Sequence, residues 1–168
     1  MSQRSEQLAK RIEEGADGLA AFVADLSDAE WQMPVSTTDQ RPIGVIVHHV
    51  ASMYPLEIET AQAVVAGKDV SNVTPDLINQ VNAGHAQENA GVTKAEALEL
   101  LRENSRSAAD KVRAFTDEEL DRAAPFGLSF GAPVTTQFVI EDHALRHSWH
   151  HLARIRKVLA EKGKSAKV

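Results

Sequence analysis

Apolar residues recur at three- and four-residue intervals through four long stretches of the chain, the spacing that lays one stripe along an α-helix. In residues 3–27 the stripe is Leu8, Ile12, Leu19, Phe22, Val23 and Leu26, weakened locally by Gly15 and Gly18. Ser27-Asp28 fit the cap of a short turn carrying Trp31, and residues 33–40 read as a polar loop. The second stretch is expected to open at 39–42, with Asp39 as N-cap and Pro42 in the first turn, where its missing N–H costs nothing. Its apolar face holds Ile43, Ile46, Val47, Val50, Met53 and Tyr54. Pro55 falls inside the pattern and predicts a kink, with the carbonyl of Ala51 left without its helical partner. The periodicity resumes over 56–65 and stops at Gly67.

Residues 68–73 are a connection. Thr74-Pro75 is a cap followed by proline at the first helical position, predicting a polar helix over about 75–89 that lies across the others. Thr93-Lys-Ala-Glu96 is a capping box that opens the third long stretch, through Leu98, Leu101, Ala108, Val112 and Phe115. Thr116-Asp-Glu-Glu119 repeats the signature for a short turn. Residues 121–132, with Pro125, Gly127 and Gly131, read as a loop, and no strand pair is expected. The last long helix is expected over about 133–161. These elements define an all-α four-helix bundle with a short additional helix between the second and third long helices. It forms one domain over residues 1–163, with 164–168 as a frayed tail.

The 168 residues are long enough for a real core, and 43% hydrophobic with 25% charged is ordinary for a soluble globular chain. The net charge of −6 and the absence of a basic stripe argue against nucleic acid as partner. No apolar run reaches membrane-spanning length, and residues 1–7 do not read as a signal peptide, so a cytoplasmic location is expected. With no cysteine there is no thiolate, and any metal must be held by His and carboxylate.

Four of seven histidines lie in residues 140–155: His143, His147, His150 and His151. On a regular helix, His147 and His151 are one turn apart at the edge of the apolar arc, while His143, His150 and Arg146 fall on the polar side. In the second helix His49 faces inward with Ile46, Val50 and Met53, whereas His48 points away. If the second and fourth helices are neighbours, His49, His147 and His151 can meet at one divalent ion. Three protein ligands with an open position are typical of catalytic zinc, and an all-imidazole set also suits nickel. Buried, hydrogen-bonded histidines without metal are the alternative. Glu57 and Glu141 fall on the apolar arcs and are candidates for supporting a ligand or for proton transfer, an ion pair with arginine being the other reading for each. His85, in the polar middle helix, is expected to face solvent.

The chain resembles the DinB-like (DinB/YfiT) superfamily of four-helix-bundle metal-binding proteins over nearly its whole length. The resemblance rests on His49-Val-Ala51, His147-Ser-Trp-His-His151, the Trp31 segment and the run from Asn82 to Ala86. It implies metal ligation by His49, His147 and His151, a homodimer, and a small-molecule substrate. It also implies either hydrolase chemistry or transfer of a low-molecular-weight thiol acting as co-substrate. One departure stands out: relatives commonly continue the last motif as His-Arg-Gly-Gln, and this chain has His151-Leu-Ala-Arg154. The alternative class of function is a non-catalytic metal- or small-molecule-binding bundle in stress response.

Overall fold

The computed structural model describes residues 2–165. Four long helices carry the core: α1 (Gln3–Ala24), α3 (Ile43–Val65), α5 (Lys94–Arg113) and α8 (Arg146–Ser165). Short α2 (Asp28–Trp31) precedes α3, α4 (Pro75–Glu88) lies between α3 and α5, and α6 (Asp117–Asp121) follows α5. α1 packs on α5 and α8, and α3 packs on the other side of α5 and α8, closing the four-helix ring. Their apolar stripes meet in one cluster, with Leu8, Ile12, Leu19, Ile46, Val50, Ile58, Leu101, Val112, Leu152 and Ile155 all buried. Among the described residues no helix is long and apolar enough to cross a membrane. The last helix continues through Ser165, beyond the expected end at 161, and residues 166–168 of the expected tail lie outside the described residues.

Local signals account for most boundaries. Ser27 with Glu30, Thr93 with Glu96 and Thr116 with Glu119 form reciprocal capping boxes, and Thr74 caps α4 ahead of Pro75. The expectation at Asp39 is corrected. α3 begins at Ile43 behind Pro42, with no side-chain cap, and the Asp39 carboxylate is taken by Arg41 and Arg154 instead. Two guanidinium groups offer a carboxylate more than a single amide does. Trp31 is buried against α3 and donates its indole N–H to the Val92 carbonyl at 3.1 Å. Gly44 permits that approach, because a Cβ there would lie 2.3 Å from the indole ring.

The segment expected to be a loop without strands contains a small antiparallel pair. β1 (Ala123–Pro125) and β2 (Pro133–Thr135) pair in the register Ala123–Thr135, Ala124–Val134, Pro125–Pro133. Three-residue strands carrying two prolines leave no alternation to read. The turn between them is tied to the 68–73 connection by backbone bonds from Val70 N–H to the Pro125 carbonyl and from Gly127 N–H to the Val70 carbonyl. A Cβ at Gly127 would meet the Val73 carbonyl at 2.2 Å, so the two backbones can touch only with glycine there.

The last helix is irregular. α7 (Thr136–Val139) runs into a π-helical segment, Ile140–Leu145, and then into α8. One wider turn accommodates about one extra residue, so everything before it is rotated by roughly 100° relative to α8. Val139 is thereby buried with Ile140 and Ala144 on the core side, and Glu141 leaves the apolar arc on which a regular helix would have put it.

Pro55 does sit within α3, and the Ala51 carbonyl it frees is not left empty. Asn104 of α5 donates its side-chain amide to that oxygen at 2.9 Å. Replacing Asn104 with Ala should cost about 1–2 kcal/mol in urea unfolding, because a buried acceptor loses its donor. In a Pro55→Ala background the backbone N–H of residue 55 can serve that carbonyl, so the cost of Asn104→Ala should fall by at least half. Equal costs in both backgrounds would assign Asn104 a different role.

Candidate metal centre

α3 and the last helix run antiparallel, with Asp39 beside Arg154, Tyr54 beside Ser148, and Glu57 beside His147. This pairing brings together the three histidines selected from the sequence. His49 Nε2 and His147 Nε2 are 3.1 Å apart, and one nitrogen from each of His49, His147 and His151 lies within 4.8 Å of the others. Three atoms so disposed share a point no more than about 2.8 Å away, and zinc–imidazole bonds are about 2.0–2.1 Å. Ring rotations that move each nitrogen by at most about 0.8 Å close that gap. The donor set therefore fits a divalent ion.

His49 and His151 are buried, at 5% and 6% exposure, and the Nδ1 atoms of both have no partner among the described residues. Burial pushes the His49 imidazole down to about 3 and lowers His151 as well, with neighbouring His147 acting in the same direction on both. Both rings are therefore neutral near pH 7, the form in which imidazole offers a lone pair. His147 is fixed from the other side: Glu57 Oε1 lies 2.7 Å from its Nδ1, which directs Nε2 toward His49. The second Glu57 oxygen is buried without a partner.

The remaining candidates separate. Glu141 is half-exposed, 3.4 Å from Arg11 and accepting from Gln137, an ion pair at the surface rather than a group at the histidines. Of the two readings for Glu141, the ion pair with arginine is the one the structure shows, and the π-helical turn accounts for it by rotating Glu141 away while carrying His143 inward. His143 is half-buried, edge-on to Phe126, with Nε2 buried, 3.8 Å from the Asp142 carboxylate and without a hydrogen-bond partner. His150 is exposed, as expected from its side of the helix. His85, expected to face solvent, is buried and stacked on His48, with His48 Nδ1 and His85 Nε2 2.8 Å apart. A polar composition hid the one face of α4 that touches α3. Two groups went unnoticed as site residues in the sequence, His143 and Arg41. No local signal marks Arg41; a regular wheel misplaces His143.

The histidines open onto a cavity of about 400 Å³. Its floor is His49, His147, His151 and Glu57; α4 contributes Leu77, Ile78 and Val81, and the β1–β2 turn contributes Phe126 and Leu128. Arg41 stands at one end, and Asp142 with Arg146 at the rim.

A four-helix bundle with three histidines converging from its second and fourth long helices defines the class, and comparison with known proteins agrees. Residues 11–155 match the DinB superfamily, and the chain belongs to that family. Among solved structures it is similar to YfiT from Bacillus subtilis, described as "a probable metal-dependent hydrolase with an unusual four-helix bundle topology". The two align with a TM-score of 0.77 at 17% identity, covering 97% of this chain and 90% of that one. At that identity the likeness establishes the fold. No curated protein matches the chain.

Burial also sets an acid response. A solvated imidazole titrates near 6.5, whereas burial holds His49 near about 3 and His85 near about 4 in the metal-free fold. Between those values and 6.5 the unfolded chain binds more protons than the folded one, so stability falls as pH drops through that window and is unaffected above it. His49 contributes up to about 1.4 kcal/mol per pH unit in that window, and the more solvated His85 contributes less. Urea unfolding of metal-free protein at pH 7.5, 6 and 5 should show the loss, and His85→Gln should flatten the slope. A profile flat across this range would mean the rings are solvated.

Proposed function

We propose that this protein is a divalent-metal-dependent enzyme acting on a small molecule, with His49, His147 and His151 as the metal ligands. One observation carries the reading: three imidazoles from two helices converge on the floor of an open cavity. A structural zinc site is closed by four protein ligands, and among the described residues no fourth histidine or carboxylate joins the group. A bound ion would supply Lewis acidity, polarising a substrate oxygen and lowering the pKa of a water or thiol that attacks it. Zinc and nickel both suit a donor set of imidazoles alone.

The chain's own groups have separate tasks. Glu57 Oε1 holds the His147 ring through Nδ1, and its free Oε2 is the acceptor for the proton that the nucleophile gives up. Phe126, Leu128 and the apolar face of α4 exclude water from the cavity and hold the body of the substrate. Water as nucleophile gives hydrolysis, the reaction class described for the Bacillus subtilis neighbour. A low-molecular-weight thiol gives S-transfer, and that thiol must come from outside because the chain has no cysteine.

Protein purified without an affinity tag and reconstituted with Zn²⁺ or Ni²⁺ should hold one ion per chain by elemental analysis, and His147→Ala should hold none. Glu57→Gln should weaken metal affinity about 10- to 100-fold, read by competition with a chelating dye. Metal-loaded protein should turn over either a p-nitrophenyl ester with water or monochlorobimane with a bacterial thiol. Stoichiometric metal with neither activity would return the bundle to a non-catalytic binding role.

A further inference from the structure

Arg41 lies immediately before α3 and lines the same cavity as His49 and His151. Asp39 grips one edge of its guanidinium, with Nε donating to Oδ1 at 2.9 Å and Nη2 to Oδ2 at 2.7 Å. The Asp39 carboxylate also accepts Arg154 Nη2 at 3.0 Å. One carboxylate thus answers two guanidinium groups, and this end of the cavity keeps an excess positive charge. The grip also fixes the Arg41 plane. Its third corner, Nη1, is buried and has no partner among the described residues. A buried charged donor left unmade is costly, and a ligand acceptor would relieve it.

The other charged groups that line the cavity each have an ionic or hydrogen-bonded partner. Glu57 holds His147, and Arg146 donates through Nε to the Asp142 carbonyl at 3.0 Å and lies 3.3 Å from its carboxylate. Arg41 is the cavity cation whose unpartnered nitrogen is buried, whereas the Arg146 side chain is 60% exposed and keeps its terminal nitrogens within reach of water. The antiparallel helices order the cavity along its length. Arg41 and Arg154 mark one end, the three histidines lie in the middle, and Phe126 packs against His143 toward the other. α4 spans the same length in the reverse sense, from Val73 just before it, beside Gly127 of the β1–β2 turn, to His85 beside His48.

We propose that the substrate is an amphipathic carboxylate: Arg41 Nη1 donates to its carboxylate, Ile78, Val81 and Leu128 hold its apolar body, and its reacting group lies between them over the three histidines. The assignment of the middle position rests on the metal-enzyme reading above; the carboxylate anchor and the apolar wall stand without it. Arg41 is then a substrate-binding residue that sets specificity. A guanidinium held by its far edge presents a fixed donor, which an ammonium on a flexible stem cannot reproduce.

The test uses metal-free full-length protein, so that no ion competes for the carboxylate, with octanoate and its neutral isostere octanamide as probes in isothermal titration calorimetry. Wild type should bind octanoate roughly 10- to 100-fold more tightly than octanamide, the factor expected for a charge-assisted hydrogen bond. Arg41→Gln should abolish the preference while leaving octanamide binding in place, which also reports that the cavity is intact. Arg41→Lys should keep only part of the preference, and Arg146→Gln all of it. Equal binding of the two probes by wild type overturns the proposal even if Arg41→Gln does not fold. So does a preference that survives Arg41→Gln, or one that disappears in Arg146→Gln. Failure of the metal reading shows separately: wild type that binds no Zn²⁺ or Ni²⁺ yet prefers octanoate refutes that reading and keeps this one.

Discussion

Where α3 meets the last helix, the His147 ring is held between Glu57 on one nitrogen and His49 on the other. The two nitrogens of an imidazole diverge within one rigid plane, so a carboxylate on Nδ1 determines the line along which Nε2 points. His151, one turn further on, is carried by the same helix, and its distance to His147 is set by the backbone. The geometry of the three-histidine group therefore reduces to one contact between two helices. That contact is reinforced by the neighbouring Tyr54–Ser148 hydroxyl pair at 2.7 Å and, farther along the same seam, by the Asp39–Arg154 ion pair.

Both helices that carry the histidines depart from regular geometry close to them. Pro55 removes a hydrogen bond six residues after His49, and the wide turn over 140–145 ends two residues before His147. Each departure has a compensating partner elsewhere in the bundle. Asn104 satisfies the carbonyl that the proline frees, and Val139, Ile140 and Ala144 find the core despite the change of phase. A straight helix through 136–165 would have kept Glu141 inward and turned Val139 outward. The irregular turn instead exchanges a charge for an apolar side chain in the core, and directs His143 to the cavity as a by-product.

The four amphipathic stripes, the capping boxes and the chain-breaking residues were legible in the sequence because each depends on neighbours within four residues. The inward direction of His49, His147 and His151 was legible for the same reason, since all three lie on regular turns. Features that depend on a distant partner were not. Asp39 has the chemistry of a cap, and only the fold reveals that Arg154 comes within reach. His85 sits in a polar helix whose single buried face is defined by its stacking on His48. The β1–β2 pair is held by backbone bonds and carries no side-chain periodicity. Glu141 was misplaced by the assumption of 3.6 residues per turn, which fails once, just before the motif.

The turn after β1 is joined to the 68–73 connection through main-chain atoms, with Gly127 as the position where two backbones touch. Peptide groups make that seam whatever side chains flank it. Phe126 and Leu128 above the histidines, and Leu77, Ile78 and Val81 opposite, are thus attached to a roof whose fastening does not depend on their identity. Leu77, Ile78, Val81 and Leu128 can be exchanged on such a roof without disturbing the floor on which the imidazoles stand, whereas Phe126 is fixed by its burial in the core. Divergence in selectivity among bundles of this construction can proceed by exchange of a handful of ceiling side chains.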